Sequence, residues 1–379
     1  MRIGIIGAGS MGAGIAQVAA SADCQVKIYD QSKEVCEKAL IKLDKILKRL
    51  IEKGKIDDIK KQSIQDNISI ISDIEDLKDS DLIIEAIIED EKIKKNIFSN
   101  LSNLVSDKCV IATNTSSLSV TSLASSCNIP ERFIGIHFFN PAPLMPLVEI
   151  IPALQTNQKL VDKVYDLISG WGKSPVIAKD TPGFIVNRIA RPFYGEALRL
   201  HEEGIADFKT IDNSMKQFGG FKMGPFELMD FIGNDVNYAV TSTVFKAFYY
   251  DPRYKPSFTQ KQYAEAKWLG RKTNKGYYDY SLDSQKEEIE IDSVLGNEIF
   301  NRILVMLINE AVDALYMGVA SEEDIEIAMT KGVNYPMGLI EWGREKSFSW
   351  CVKMLDGYYE KYHEDRYRCS PLLRKWGSS

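Results

Sequence analysis

The chain has 379 residues, of which 45% are apolar and 26% charged, and its formal net charge is −6. This length predicts two or three domains of a globular protein, and the acidic balance argues against a nucleic-acid surface. No apolar run reaches the roughly 18 residues that a membrane span needs. Because no basic or apolar leader precedes the first segment, IGIIGAG, we expect a cytoplasmic protein without membrane or nucleic-acid partners.

Short β-branched segments alternate with longer amphipathic ones from Met1 to about Lys179. The short segments are RIGII, QVKIYD, DLIIEAII, KCVIATN, RFIGIHFF, PLVEII and SPVIAKD. This alternation predicts βα units around a mostly parallel sheet, which form a doubly wound α/β domain over residues 1–181. From about 32 to 65, apolar residues at helical spacing predict an inserted helical arm.

A glycine-rich turn, Gly7-Ala8-Gly9-Ser10-Met11-Gly12, ends the first strand and begins a helix. In such a turn Gly7 permits the tight bend, Gly9 lets the backbone approach a pyrophosphate, and Gly12 lets the helix pack on the strand. We therefore predict a Rossmann-type nucleotide-binding domain, with Ser10 and Met11 in the binding turn. The alternative is a glycine-rich turn that binds no ligand.

Asp30 ends the second strand, eighteen residues beyond Gly12. A carboxylate there accepts hydrogen bonds from the adenosine ribose hydroxyls and repels the 2′-phosphate of NADP. The cofactor predicted from this pattern is NAD. Lys33 lies close enough in sequence to keep NADP open as an alternative.

His137 is the histidine best placed for chemistry among the three in the chain. It ends an apolar strand in GIHFFNPAPLMPLVEI and so projects from the carboxyl edge of the predicted sheet, where ligands of such folds bind. A dehydrogenase acting on an alcohol needs a base for the hydroxyl proton, and histidine suits neutral pH. His201 and His363 lie in segments predicted to be solvated helix faces.

Glu149 lies inside the next apolar strand, PLVEII, where an unpaired carboxylate would be costly to bury. The His137 imidazole on the neighbouring strand is its predicted partner. Such a pair orients the ring, fixes its tautomer and stabilises the imidazolium formed when the base takes a proton. The alternative is a core histidine beside a structural ion pair.

Two polar clusters follow other predicted strands, Thr113 to Ser117 and Glu85 to Asp90. Their side chains suit either a substrate and a nicotinamide ribose or ordinary helix caps, and spacing does not decide between these roles. The six cysteines have no CxxC spacing and no histidine at zinc-ligand spacing, so we interpret them as reduced structural thiols and predict no metal site.

Mostly helical segments follow Asp180 to Gly183, and they contain an internal repeat at a separation of 114 positions. Matching residues include Asn187/Asn301, Arg188/Arg302, Ile189/Ile303, Glu196/Glu310, Ala197/Ala311, Gly204/Gly318, Ile211/Ile325, Met215/Met329, Gly224/Gly338 and Glu227/Glu341. We predict a first helical domain at 182–285 and a duplicate at 295–379, joined by a charged linker at about 281–293.

Several motifs resemble the L-3-hydroxyacyl-CoA dehydrogenase family, in that family's order: GAGSMGAGIAQ, IIEAIIED, TNTSSL, GIHFFNP, PLVEII, DTPGFIVNR, GPFELMD and LGRKTNKGYYDY. The resemblance covers residues 1 to about 280, and the second helical copy resembles the extra repeat of longer members. It implies NAD-dependent oxidation of a (3S)-hydroxyacyl-CoA to a 3-oxoacyl-CoA in fatty acid or aromatic acid degradation. Within the family, the chain is similar to 3-hydroxybutyryl-CoA and 3-hydroxyadipyl-CoA dehydrogenases, and the stretch LMDFIGNDVNYAVTSTVFKAF looks particularly like the latter.

The resemblance also implies a set of roles for residues of this chain. They are His137 as general base, Glu149 as its partner, Ser116 on the substrate oxygen, Asn187 as a positioning amide, Asp30 on the adenosine ribose, and Glu89, Lys94 and Asn114 near the nicotinamide half. Because Asn187 recurs as Asn301, a structural role at a helix start is its alternative. The arm resembles the helical tail that helps hold CoA.

Other readings of the sequence stay open. Relatives with the same sheet oxidise free 3-hydroxy acids such as gulonate, and others are idle NAD-binding structural proteins of the lens. Short family members dimerise through one helical domain, and a second copy within the chain could take the partner's place. We therefore expect a monomer or a homodimer.

Overall fold

The structure is a computed structural model that describes residues 1–281 and 290–378. The chain separates into two compact units, Met1–Phe184 and Ile185–Ser379. Most of the predicted charged linker, at 282–289, lies outside the described residues.

An eight-stranded sheet in the order β3-β2-β1-β4-β5-β6-β7-β8 forms the centre of the first unit. The strands are β1 Arg2–Ile6, β2 Gln25–Tyr29, β3 Ile68–Ile70, β4 Leu82–Glu85, β5 Val110–Thr113, β6 Phe133–Phe138, β7 Leu147–Pro152 and β8 Ser174–Ile177. Neighbouring strands are parallel except for the antiparallel pair β6 and β7. Seven of these strands were predicted; the eighth, β3, has three residues, too few to show an alternation.

Helices flank this sheet because its central strands are apolar on both faces. Every residue of β5 and β6 is buried, for example. The helices of the first unit are α1 Ser10–Ser21, α2 Lys33–Glu52, α3 Asp58–Asp66, α4 Glu91–Leu104, α5 Val120–Ala124 and α6 Gln158–Gly170. The fold is therefore the predicted Rossmann-type α/β domain followed by a helical region.

The helical arm consists of α2 and α3, which are separated near Gly54. Gly54 has φ +65°, in the left-handed region that favours glycine after a helix end. The apolar side of α2 is buried at Cys36, Ala39, Leu43 and Leu47, so α2 packs on the body of the unit by one face and exposes its lysines on the other.

Helices make up most of the second unit in its described part. They are α7 Val186–Ile189, α8 Arg191–Glu202, α9 Phe208–Gly219, α10 Pro225–Ile232, α11 Asn234–Ala247, α12 Phe258–Glu265, α13 Ser293–Tyr316, α14 Glu322–Ile327, α15 Leu339–Lys346, α16 Phe348–Tyr362 and α17 Pro371–Gly377. His363 is exposed, as predicted. The solvated position predicted for His201 is wrong, because its ring is half-buried 4.0 Å from that of Phe208.

Inside this unit, an arginine of each helical copy pairs with a glutamate of the other copy. Arg188 Nε donates to Glu310 Oε1 at 2.7 Å, and Arg302 Nε donates to Glu196 Oε2 at 2.9 Å. All four side chains are buried. Each copy thus supplies the arginine for the other copy's glutamate, as two subunits do across a two-fold interface.

All six cysteines are buried and free. Among residues 1–281 and 290–378, no cluster of three or more histidine, cysteine or acidic side chains is arranged to hold a metal ion. Within the same residues, no helix is both long enough and apolar enough to cross a bilayer.

Candidate active site

His137 and Glu149 face each other across strands β6 and β7. The antiparallel register places the two residues directly opposite, and His137 Nδ1 lies 2.7 Å from Glu149 Oε2. Opposite residues of an antiparallel strand pair lie on the same face of the sheet. This explains why His137 and Glu149 are in contact although twelve positions separate them in the sequence. The rings of Phe139 and Phe184 pack 4.4 and 5.9 Å from the imidazole.

Burial makes this contact strong. His137 is 5% exposed and Glu149 is fully buried, so little water competes for the hydrogen bond. A carboxylate at Nδ1 favours the tautomer in which Nδ1 carries the proton, and Nε2 is then the ring nitrogen that can accept one. The arrangement can therefore act as a general base whose partner stabilises the imidazolium.

The two polar clusters predicted at strand ends meet at Glu89. Its Oε1 accepts hydrogen bonds from Thr115 Oγ1 at 2.6 Å, from the backbone N–H of Ser116 at 2.9 Å and from Ser117 Oγ at 3.1 Å. Glu89 therefore holds the loop after β5 that carries Ser116.

Lys94 connects Glu89 to a second, fully buried carboxylate. Its Nζ donates to Glu85 Oε1 at 2.6 Å and lies 3.1 Å from Glu89 Oε2, and Lys94 is only 1% exposed. Burial alone would raise the pKa of Glu89, but the Lys94 charge and the hydrogen bonds from Thr115 and Ser116 lower it below its ordinary value. Glu89 is thus ionised at rest. Lys94 contributes to the site by its ion pair with Glu89.

Asn114 ties the end of β5 to the residue after His137. Its Oδ1 accepts a hydrogen bond from the Phe138 backbone N–H at 2.8 Å. Ser10 Oγ, in the glycine-rich turn, donates to Asn140 Oδ1 at 3.4 Å. The structure thus places Asn114 beside the His137 strand end and links Ser10 to the loop that follows it.

The glycine-rich turn fits a dinucleotide. A Cβ at Gly12 would lie 1.8 Å from the Gly7 carbonyl oxygen, so only glycine lets α1 pack there, whereas a Cβ at Gly9 would meet no atom within 4 Å. The open space at Gly9 beside the start of α1 suits a pyrophosphate. Met11 is partly buried and packs against the hydrophobic core of the first unit. Asp30 Oδ2 accepts a hydrogen bond from the Ala8 backbone N–H at 2.9 Å, which ties the end of β2 to the turn. The residues present therefore match what NAD requires.

A cavity of about 910 Å³ lies within the first unit beside this turn. Its walls include Gly9, apolar residues of α1 and α2, and four lysines at Lys38, Lys42, Lys55 and Lys173. Lys173 Nζ donates to the Ala142 carbonyl at 2.6 Å and to the Met145 carbonyl at 2.9 Å, so it fastens the loop between β6 and β7. Sequence patterns missed Lys173, because it precedes a strand without a recognisable motif.

Asn187 is the one predicted catalytic residue that belongs to the second unit. It lies half-buried in α7, within the second unit.

Comparison with known proteins gives matches over almost the whole chain. The family model for the 3-hydroxyacyl-CoA dehydrogenase NAD-binding domain matches residues 2–181, and the model for the C-terminal domain of these enzymes matches residues 183–280 and 299–378. The second helical copy thus matches the same domain model as the first.

Individual relatives agree with these matches. The chain is 35% identical to 3-hydroxyadipyl-CoA dehydrogenase of Escherichia coli K12, over 98% of this chain and 96% of that protein. It is 41% identical to 3-hydroxybutyryl-CoA dehydrogenase of Clostridioides difficile, over 74% of this chain and 100% of that one. The crystal structure of 3-hydroxybutyryl-CoA dehydrogenase from E. coli K12 aligns with a TM-score of 0.95 at 34% identity, covering 100% of this chain and 98% of that one.

Proposed function

The chain belongs to the 3-hydroxyacyl-CoA dehydrogenase family, and from that premise we propose that it oxidises the 3-hydroxyl group of a (3S)-3-hydroxyacyl-CoA to the 3-oxoacyl-CoA. The observation that carries this proposal is the buried contact between His137 and Glu149 in the unit that also contains the NAD-binding turn. NAD, when bound, supplies the acceptor for the hydride that leaves C3.

In this proposal His137 Nε2 takes the proton of the 3-hydroxyl group. Glu149 Oε2 holds the Nδ1 proton throughout and stabilises the imidazolium. The low exposure of both residues keeps bulk water from competing for the proton.

Ser116 and Asn187 complete the proposed catalytic set. Ser116 would donate its hydroxyl proton to the substrate oxygen, and the hydrogen bond from its backbone to Glu89 supports a fixed position for it. Asn187 would be a positioning amide. Glu89, with Lys94 behind it, and Asn114 would position the nicotinamide half of NAD, while Asp30 and the turn from Gly7 to Gly12 would hold the adenosine half.

The lysine-lined cavity is the proposed binding place of the CoA phosphates. Lys42 and Lys55 form no ion pair within the described part of the chain, and both are exposed at the cavity. An ammonium group without a carboxylate partner is available to a phosphate. This supports a CoA ester over a free 3-hydroxy acid.

We also propose the division into residues 1–181, 182–285 and 295–379. The reciprocal pairs of Arg188 with Glu310 and of Arg302 with Glu196 support a second copy that takes a partner's place. A monomer, or a homodimer that uses another surface, would follow.

The test is an assay of NADH formation at 340 nm with 3-hydroxyacyl-CoA esters from C4 to C16, the adipyl derivative, and free 3-hydroxy acids including gulonate. Turnover of CoA esters supports the proposal. The ester with the highest turnover would then distinguish a role in fatty acid degradation from one in aromatic acid degradation. Faster turnover of a free acid would favour the alternative dehydrogenase. No NADH from any compound would identify an idle NAD-binding protein.

A further inference from the structure

Lys173 differs in its contacts from the other lysines of the cavity in the first unit. It lies directly before β8, and its side chain is half-buried. Its Nζ donates to three backbone carbonyls of the loop between β6 and β7, those of Ala142 at 2.6 Å, Met145 at 2.9 Å and Pro143 at 3.4 Å. An ammonium group has three donors, so these contacts use all of them and leave none for a phosphate.

The arrangement around this ammonium group contains no carboxylate. Lys173 forms no ion pair with any residue of 1–281 or 290–378, and burial lowers the pKa of its side chain. Taking an ammonium group out of water is costly unless hydrogen-bond acceptors replace the water, and here the loop carbonyls are those acceptors. The position of the ammonium group and the conformation of the loop therefore depend on each other.

The loop that Lys173 holds connects the histidine to the glutamate of the proposed catalytic pair. It comprises residues 139–146, so it begins two positions after His137 and ends three positions before Glu149. The connecting loop of an antiparallel strand pair fixes the register of its strands. A change in this loop is therefore expected to disturb the contact of 2.7 Å between Nδ1 and Oε2.

Two further contacts fix the same region. Trp171, two residues before Lys173, stacks on the ring of Phe138 with 6.4 Å between the ring centres. On the other side, a Cβ at Gly14 in α1 would lie only 3.2 Å from the Cβ of Ala142, so the loop packs closely on the helix that follows the nucleotide-binding turn. The loop is thus held between α1 and the segment that carries Lys173.

We propose that Lys173 is a positioning residue for the oxidation, because its ammonium group fixes the loop between β6 and β7 and thereby the orientation of the His137 imidazole against Glu149. This inference rests on the proposed function, which assigns the proton transfer to His137. Lys173 acts through that histidine and takes no part in the proton transfer itself. A displacement of about 1 Å at a reacting group costs about 100-fold in rate, which sets the scale of the expected effect.

The first test measures kcat and KM for NADH formation from (3S)-3-hydroxybutyryl-CoA at saturating NAD. Lys173→Met keeps an unbranched side chain and removes the charge, so kcat should fall by about 10- to 100-fold while KM changes by less than about threefold. A raised KM with an unchanged kcat would make Lys173 a ligand of the CoA ester and overturn the proposal.

Lys27→Met is the matched control. Lys27 is also a half-buried lysine of the first unit, and its Nζ donates to a backbone carbonyl, that of Asp76 at 2.7 Å, outside the loop between β6 and β7. Its loss should leave kcat within about threefold of the wild type. A fall in kcat as large as that of Lys173→Met would show a general loss of stability and contradict the specific role.

Chemical rescue separates the charge of Lys173 from the space that it fills. The n-propylammonium ion has the atoms that Lys173→Ala lacks, and it should raise the kcat of this variant by about tenfold, whereas 1-propanol, which has a similar shape and no charge, should raise it by less than about twofold. Equal effects of the two compounds would refute the role of the ammonium group.

A measurement without turnover distinguishes failure of this inference from failure of the proposed function. In protein with ¹⁵N-labelled histidine, the Nδ1 proton between His137 and Glu149 should give a downfield NMR signal that shifts or disappears in Lys173→Met and stays in Lys27→Met. An identical signal in the wild type and in Lys173→Met would overturn the positioning role. A wild type that shows the expected signals but forms no NADH from any hydroxyacyl-CoA ester refutes the proposed function instead.

Discussion

Replacing Glu149 by Gln removes one charge from the buried pair and keeps its shape. With Nδ1 and Oε2 2.7 Å apart, the attraction between an imidazolium and this carboxylate is about 6 kcal/mol at an effective dielectric constant of about 20. The glutamine oxygen retains a neutral hydrogen bond worth about 1 kcal/mol, and desolvation of the carboxylate offsets part of the rest. We expect a net loss of about 3 kcal/mol in the transition state, or roughly 100-fold in kcat.

The assay measures kcat and kcat/KM for NADH formation with one hydroxyacyl-CoA ester. Because an amide stabilises the imidazolium less than a carboxylate does, both values should fall in Glu149→Gln. NAD affinity, measured by fluorescence titration, should stay within about threefold of the wild type. An unchanged kcat would refute the idea that the two residues act together.

Three other changes test other parts of the structure. Glu85→Gln leaves Lys94 with Glu89 as its remaining carboxylate partner and should lower the free energy of unfolding by about 1–3 kcal/mol in calorimetry; an unfolding temperature equal to that of the wild type would contradict the buried network. Burial, with Glu227 adding to it, raises the pKa of Asp212 to about 8 from 3.8, so its stabilising contribution is complete below about pH 4 and is lost as the pH rises through 8. Asp212→Asn should therefore flatten the fall in stability between pH 5 and 8 by up to about 1.4 kcal/mol per pH unit, and an identical slope in both proteins would count against this. Lys42→Glu should raise KM for the CoA ester about tenfold with NAD affinity unchanged, and an unaltered KM would remove the cavity from CoA binding.

The parts of the fold that sequence could predict are those with strong local patterns. Seven strands follow from short β-branched segments between turn residues, and the glycine-rich turn locates the start of α1. The strand Ile68–Ile70 escaped prediction because three residues cannot show a period of two. The helical spacing between 32 and 65 predicted a helical arm without giving the number of its helices, and the structure has two.

The site was predictable only in outline. Sequence placed His137 and Glu149 on adjacent strands, but their register depends on the loop between β6 and β7, which Lys173 fastens through backbone carbonyls that carry no sequence signal. Lysine on an amphipathic helix is ordinarily solvated, so nothing local indicates that Lys94 is buried against Glu85.

The measurement that most directly tests the assigned base is the kcat of His137→Gln, together with its NAD affinity. General base catalysis contributes roughly 10²- to 10⁴-fold, so kcat should fall by at least about 100-fold. The dissociation constant of NAD should stay within about threefold of the wild type, because the glycine-rich turn is left intact. A His137→Gln enzyme that oxidises the hydroxyacyl-CoA ester at the wild-type rate would contradict the account.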